Sequence, residues 1–175
     1  MFFQISCHKF LSSIYFQFIF IKIQKMLTFR SFLPDEYKKL EIMIFELYAD
    51  DKATTVGSMS SEQVQKTVTT FTSTPSVLDI QMFVFEGEIV GYAILTWFWS
   101  NEFGGRMLMI DELLVKEAYR NRGFSTQFFN TLFAEKRYGE VGYLLEVGIY
   151  KADSARLYER LGFQPFKTRH LFKTL

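Results

Sequence analysis

Residues 113–125 read Leu-Leu-Val-Lys-Glu-Ala-Tyr-Arg-Asn-Arg-Gly-Phe-Ser, and no other stretch restricts the fold as tightly. An apolar strand ends at Val115, Arg120 and Arg122 bracket Asn121, and Gly123 opens an amphipathic helix. Free backbone N–H groups at a helix start, together with the positive end of the helix dipole, attract an anion. Gly123 has no Cβ to keep such a group away from the backbone, and the two arginines add positive charge. The same residues also fit an ordinary strand-to-helix turn with two solvated arginines, so the segment alone leaves both readings open.

The helix that follows is legible by itself. Phe124, Phe128, Phe129, Leu132 and Phe133 recur at helical spacing, with Thr126, Gln127, Asn130 and Thr131 between them. That stripe is core material, and burying it would aim the helix N-terminus at a fixed place. Lys136 and Arg137 are expected in the last turn, with Gly139 as the stop. Downstream, Leu144-Leu145-Glu146-Val147 reads as a strand. A short helix follows, with Asp153 as its expected cap, Leu157 and Leu161 packing inward, and Gly162 ending it. The resulting order is strand, anion-binding turn, helix, strand, helix, strand.

With both segments in hand, the chain resembles the Gcn5-related N-acetyltransferase superfamily. The acetyl-CoA loop of that family has the pattern R/Q-x-x-G-x-G/A. Arg120, Gly123 and Ser125 stand at its defined positions, Ser125 where glycine or alanine is usual. Serine is small and keeps its backbone N–H. The resemblance implies that the backbone from Asn121 and Arg122 through Gly123, Phe124 and Ser125 to Thr126 holds the pyrophosphate of acetyl-CoA. It also implies that Leu113-Leu114-Val115 pairs its backbone with the pantetheine arm, as strand addition to an exposed edge where two parallel strands splay. The downstream segment resembles the family signature N-x-x-A-x-x-L-Y-E-x-x-G-F at Leu157, Tyr158, Glu159, Gly162 and Phe163. Lys151 replaces the asparagine there, as a candidate contact to the cofactor arm, and Ser154 replaces the alanine. The resemblance covers residues 26–175. It implies an α/β (α+β) fold with a mixed, mostly antiparallel central sheet, splayed parallel strands and flanking helices.

The remaining organisation agrees. Pro34 to Ala49 predicts an amphipathic helix, and Ser60 or Ser61 can cap a second one running to about Phe71. Ile80–Phe85 and Ile89–Trp99 around Glu86-Gly87-Glu88 predict a hairpin, and Met107–Val115 the next strand. At 175 residues the chain suits one domain. Its single cysteine, Cys7, allows no internal disulfide and suits a reducing cytoplasm. His8 and His170 are far apart in sequence, so no metal site is expected. A formal charge of +1 gives no sign of a nucleic-acid surface. Residues 1–25 contain no acidic residue and are rich in Phe and Ile. Their apolar run Leu11–Ile21 is too short for a comfortable membrane span and lacks a signal-peptide cleavage pattern. The segment reads as an extension outside the acetyltransferase domain of 26–175. A start assigned too early, a membrane-associating helix and an extension packed on the domain all fit it.

The chemistry asks for a base, an acid and a cofactor clamp. An amine is protonated near neutral pH and must lose a proton before it attacks a thioester. Asp111 and Glu112 are the carboxylates placed for this, but successive strand residues face opposite sides, so both reach one site only if a bulge intervenes. Resemblance to the polyamine-acetylating branch implies that Asp111 matches the base and Glu112 the second acid of a pair. The resemblance also implies that Tyr158 protonates the departing CoA thiolate; taken alone it fits a core tyrosine equally well. Glu102 and Trp97-Phe98-Trp99 fit the lining of an acceptor pocket, although aromatics on a strand are more often core. Together these residues imply transfer of acetyl from acetyl-CoA directly to a primary amine of a small molecule. An enzyme acting on protein or peptide amines, and a non-catalytic acetyl-CoA-binding module, stay open as alternatives. No nucleic-acid partner and no integral membrane span are expected, and a homodimer is compatible with the sequence.

Overall fold

Alternating apolar residues over the middle of the chain make a sheet whose two faces both need covering, and the helices on either side supply the cover. The computed structural model describes residues 26–50, 58–148, 151–167, 171 and 173. The extension 1–25, with Cys7 and His8, and also His170, lie outside the described residues.

The sheet has five strands: β1 (Thr28–Ser31), β2 (Leu78–Phe85), β3 (Glu88–Ser100), β4 (Gly105–Val115) and β5 (Glu140–Leu145). They lie side by side in chain order, β1 to β4 antiparallel and β5 parallel to β4. The β2–β3 turn has Glu86 at φ 53° and Gly87 at φ 82°, the pair of positive values that a two-residue hairpin of right-handed strands requires.

Two helices, α1 (Tyr37–Asp50) and α2 (Ser61–Ser73), cover one face. Their Leu40, Met43, Ile44, Val64 and Val68 pack on Ile80, Met82, Tyr92, Ile94 and Leu114. Pro34–Glu36 form a 3-10 turn, so the α-helix proper starts at Tyr37, later than the amphipathic pattern suggests. Ser60 caps α2 through a reciprocal pair with Gln63, whose N–H donates to Ser60 Oγ at 3.3 Å while its Oε1 accepts from Ser60 N at 2.9 Å. The opposite face is covered by α3 (Phe124–Glu135) and α4 (Ala152–Arg160). Phe124, Phe128, Phe129 and Leu132 of α3 bury themselves against Phe83, Leu95, Leu108, Ile110 and Val115. The phenylalanine stripe is thus core.

Four boundary expectations need correction. Helix α3 ends with Lys136 in the left-handed region at φ 43°, and Gly139 at φ 66° belongs to the turn into β5. The cause is tertiary: Tyr138 stacks on Trp97 with ring centroids 5.3 Å apart and donates its hydroxyl to Asp79, which draws the chain off the helix. Lys136 and Arg137 therefore lie past the last turn. Strand β5 starts at Glu140 and stops at Leu145, so Glu146 and Val147 are beyond it. Lys151, not Asp153, occupies the N-cap of α4; Asp153 sits in the first turn and pairs with Arg156. Among the described residues after α4 no strand follows.

Candidate active site

The backbone makes the site before any side chain does. Pairing of β4 with β5 runs from Arg106 opposite Glu140 to Ile110 opposite Leu145, and stops there. At the same place the β3–β4 register slips: Ile94 faces Glu112 and Leu95 faces Ile110, which leaves Asp111 as the extra residue of a β-bulge. A bulge bends its strand and increases the local twist, so β4 leaves β5 at Asp111. From there to Val115 no β5 residue pairs with β4. The result is a fork with an open strand edge at Leu113, Leu114 and Val115, the place where an extended arm can add as a strand. The bulge also explains why β5 stops at Leu145.

The bulge changes which way side chains face. Before it, Leu108 and Ile110 enter the phenylalanine-rich core. After it, Leu113 and Val115 enter that core, while Leu114 joins the α1/α2 side. Glu112 is carried with Leu114, and Asp111 counts with Met109 on that same side. The condition under which both carboxylates could share a face is met.

Beyond the fork the chain makes a 3-10 turn at Glu117–Tyr119, then reverses through Asn121 at φ 61° and Gly123 at φ 77° into α3. The first helical bond across the cap runs from Gln127 N–H to Gly123 O at 2.9 Å, and no side chain caps the helix. The N–H groups of Phe124, Ser125 and Thr126 are thus the unsatisfied donors of a first turn. A Cβ at Gly123 would meet no atom within 4 Å, so the space before the loop is open. The arginines are only partly what their charge suggests. Arg120 Nε donates to Val115 O at 3.0 Å and its guanidinium lies 3.9 Å from Glu46 of α1. Arg122 donates to Ala118 O at 3.2 Å and lies 5.1 Å over the Tyr119 ring. Both shape the loop as well as charging it.

Asp111 is open to solvent, yet burial among the surrounding protein, followed by the charge of Glu146, raises its carboxyl above the ordinary aspartate range. A group both accessible and closely surrounded sits in a cleft. Glu112 is buried, with Oε1 accepting from Tyr48 at 3.0 Å and Oε2 from Tyr92 at 2.6 Å. Burial raises its carboxyl, the two phenols oppose the shift, and Asp111 adds to it. Tyr158, on α4, packs edge-on to Phe129 at 5.8 Å and Phe163 at 6.0 Å, and burial raises its phenol.

The sequence from 79 to 165 matches the acetyltransferase (GNAT) domain family. The chain belongs to the Gcn5-related N-acetyltransferase family. No curated protein matches it by sequence. Among solved structures, a possible acetyltransferase from Clostridium difficile 630 aligns over 86% of this chain and 99% of its own at 17% identity, TM-score 0.72. AAC(6')-Iy in complex with a bisubstrate analog, CoA-S-monomethyl-acetylneamine, aligns over 86% and 99% at 12% identity, TM-score 0.68. A ribosomal-protein-alanine N-acetyltransferase from Brucella melitensis biovar Abortus 2308 aligns over 85% and 100% at 12% identity, TM-score 0.67. At such identities the likeness is one of fold, and the fold is that of GNAT acetyltransferases.

On this GNAT scaffold the cradle residues Arg120 to Thr126 and the edge Leu113–Val115 are contiguous around the fork. Asp111 and Glu112 lie at its apex, whereas Tyr158 belongs to the opposite face with Ile110, Leu113 and Leu145. Lys151 starts α4. The aromatic run is elsewhere: Trp97 pairs with Leu108 and Trp99 with Arg106, toward the β3–β4 turn and away from Asp111. Trp97 instead stacks on Tyr138 beneath Arg106, 5.6 Å from its ring, and Glu102 sits in the turn itself. The acceptor-pocket reading of these residues is thereby corrected, because strand register carries them down the sheet. Tyr48, Tyr92, Glu46 and Glu146 were not legible as site residues. Each is one more residue of an amphipathic helix or strand until register places it. Among the described residues no helix is long and apolar enough to cross a membrane.

Proposed function

We propose that the protein is an N-acetyltransferase that moves the acetyl group of acetyl-CoA directly to a primary amine of a small, cationic molecule. The observation that carries this reading is the bulge at Asp111, which sets a pair of carboxylates at the point where β4 parts from β5. The residues present fit acetyl-CoA: an uncapped helix start behind open space suits a pyrophosphate, and the unpaired edge Leu113–Val115 suits an amide-bearing arm. Acetyl-CoA supplies an activated acetyl thioester when bound. Arg122 to Thr126 hold the pyrophosphate, Arg120 and Asn121 shape that loop, and Lys151 at the head of α4 borders the arm. A carboxylate of the Asp111–Glu112 pair takes the proton of the attacking ammonium, and its raised pKa brings it nearer the working pH of a general base. The Tyr158 hydroxyl gives a proton to the departing sulfur, and a phenol disfavoured as an anion is suited to remain protonated until then.

Besides burial, Glu146 raises the affinity of Asp111 for a proton and Asp111 raises that of Glu112, and carboxylates gathered in this way favour a cationic acceptor over a neutral one. We place the acetyltransferase unit from Met26 onward, with residues 1–25 outside it, in the reducing cytoplasm that one cysteine suits. Thiol release from acetyl-CoA, measured over spermidine, tyramine, kanamycin and peptides with a free α-amine or lysine, tests the reading. Turnover with one of the small amines is the expected result. Turnover with peptides alone would replace the small acceptor by a protein amine, and tight binding of acetyl-CoA without turnover would leave a binding module.

A further inference from the structure

The two carboxylates at the fork are neighbours in sequence and opposites in environment. Asp111 is open to solvent and, among the described residues, accepts no hydrogen bond. Glu112 is 8% exposed, and each of its oxygens already accepts a phenolic O–H. Those phenols come from different elements: Tyr92 from β3, itself 0% exposed, and Tyr48 from the last turn of α1. One side chain therefore ties together the catalytic strand, its neighbour and a helix from the covering layer.

The tie falls where the backbone is least supported. Asp111 has no partner in β3 because of the bulge, and the β5 ladder ends one residue before it. A bulge left to itself can relax into the regular register, and that slip would turn Glu112 into the phenylalanine-rich core, parting it from the side on which Asp111 stays. Two bonds to a carboxylate oppose the slip, since charge-assisted bonds are the stronger kind and breaking one would leave a buried group unpaired. The same turn of α1 carries Glu46, 3.9 Å from Arg120 of the cradle loop. The end of α1 thus touches both the base strand and the donor loop.

Resting on the acetyltransferase reading above, we infer that Asp111 is the proton acceptor and that Glu112, Tyr48 and Tyr92 are positioning residues that lock the bulge presenting it. Glu112 is buried and held by its two phenols, whereas Asp111 is open to an amine or a water. The titratable groups facing the pair are Glu146 beyond β5, Tyr92 on β3 and Tyr48 on α1. Burial first, and then the charge of Glu146, raises the Asp111 carboxyl, so the acid limb of the rate profile should fall above the ordinary aspartate range.

The experiment compares full-length wild type with Asp111→Asn, Glu112→Gln, Glu112→Ala, Tyr48→Phe and Tyr92→Phe. It uses the panel amine that wild type turns over fastest and reads kcat and kcat/KM across pH, with thermal melts alongside. Asp111→Asn should lose about 10²–10⁴-fold in kcat/KM and the acid limb with it. Glu112→Gln should stay within about tenfold and keep the limb, because an amide can accept from one phenol and donate to the other. Glu112→Ala should lose much more of kcat than Glu112→Gln, with the acetyl-CoA KM close to wild type. Tyr92→Phe should cost nothing further in the Glu112→Ala background, since partners in one network are non-additive. Should Glu112→Ala not fold, the Tyr48→Phe, Tyr92→Phe double variant takes its place, with the same loss of kcat expected. An acid limb abolished by Glu112→Gln and kept by Asp111→Asn would overturn the assignment and leave the acetyltransferase reading intact. Equal kcat for Glu112→Ala, or its double-variant replacement, and Glu112→Gln would overturn the positioning role. A wild type that acetylates no amine of the panel would remove both.

Discussion

Gly91 tests whether the open edge of β4 depends on how closely β3 approaches it. The residue lies opposite Val115, and a Cβ there would sit 2.3 Å from Leu114 O, 3.1 Å from Phe83 Cδ2 and 3.2 Å from Val115 Cα. Carbon and oxygen rest without repulsion at about 3.3 Å or more, so Gly91→Ala must part the strands by about 1 Å. The nearest obstacle is the backbone of β4, which cannot rotate away as the Phe83 ring can. Overpacking costs about 1–3 kcal/mol, and an obstacle of this kind belongs at about 2–3. For a domain of this size that lowers Tm by about 4–12 °C. The displaced residues are Leu114 and Val115, the edge proposed for the pantetheine arm and the root of the cradle loop through the Arg120 bond to Val115 O. Acetyl-CoA affinity should therefore fall by about tenfold, equivalent to about 1.4 kcal/mol, and kcat by up to about a hundredfold for a misplacement near 1 Å. Calorimetric titration and a thermal melt of the same preparation measure both. Gly91→Ala with the Tm and the acetyl-CoA affinity of wild type would refute the reasoning.

Gly123→Val should keep a native circular dichroism spectrum while acetyl-CoA binding falls sharply. Space is open around the missing Cβ, but φ 77° disfavours any β-branched residue and the new methyl groups would occupy the approach to the loop; unchanged affinity in the folded variant takes Gly123 out of the site. Tyr158→Phe should lower kcat by about 10²–10⁴-fold with the acetyl-CoA dissociation constant almost unchanged, because the ring contacts to Phe129 and Phe163 persist. A lower Tm with near-normal turnover would instead make the tyrosine structural. Stability should also drop on acidification through Glu36, whose carboxyl is held below the usual range by its hydrogen bond to Arg30. Its contribution is complete above the unfolded glutamate value of about 4.3 and is lost as pH falls through the lower folded value, so Arg30→Met should flatten that acid limb in denaturant melts at stepped pH. A chain started at Met26 should bind acetyl-CoA as the full chain does; loss of binding or of folding would bring residues 1–25 into the domain.

What the sequence determined by itself is local and periodic. The phenylalanine spacing of α3, the serine cap expected at Ser60 or Ser61, the Glu86-Gly87 turn and the glycine before α3 each depend on a few adjacent residues, and each is found near where the residues place it. The cradle pattern is legible for the same reason, since backbone N–H groups at a helix start need only the right turn. Tertiary structure decided what depends on register between distant strands. Whether Asp111 and Glu112 share a face turns on one unpaired residue against β3, and a one-residue slip reverses every side chain beyond it. Register likewise carried Trp97 and Trp99 away from the fork and brought Tyr138 onto Trp97, ending α3 before its glycine. Tyr48 and Tyr92 carry no local mark because their meaning lies in one carboxylate, 64 and 20 residues away in the chain, which only the folded sheet brings to them.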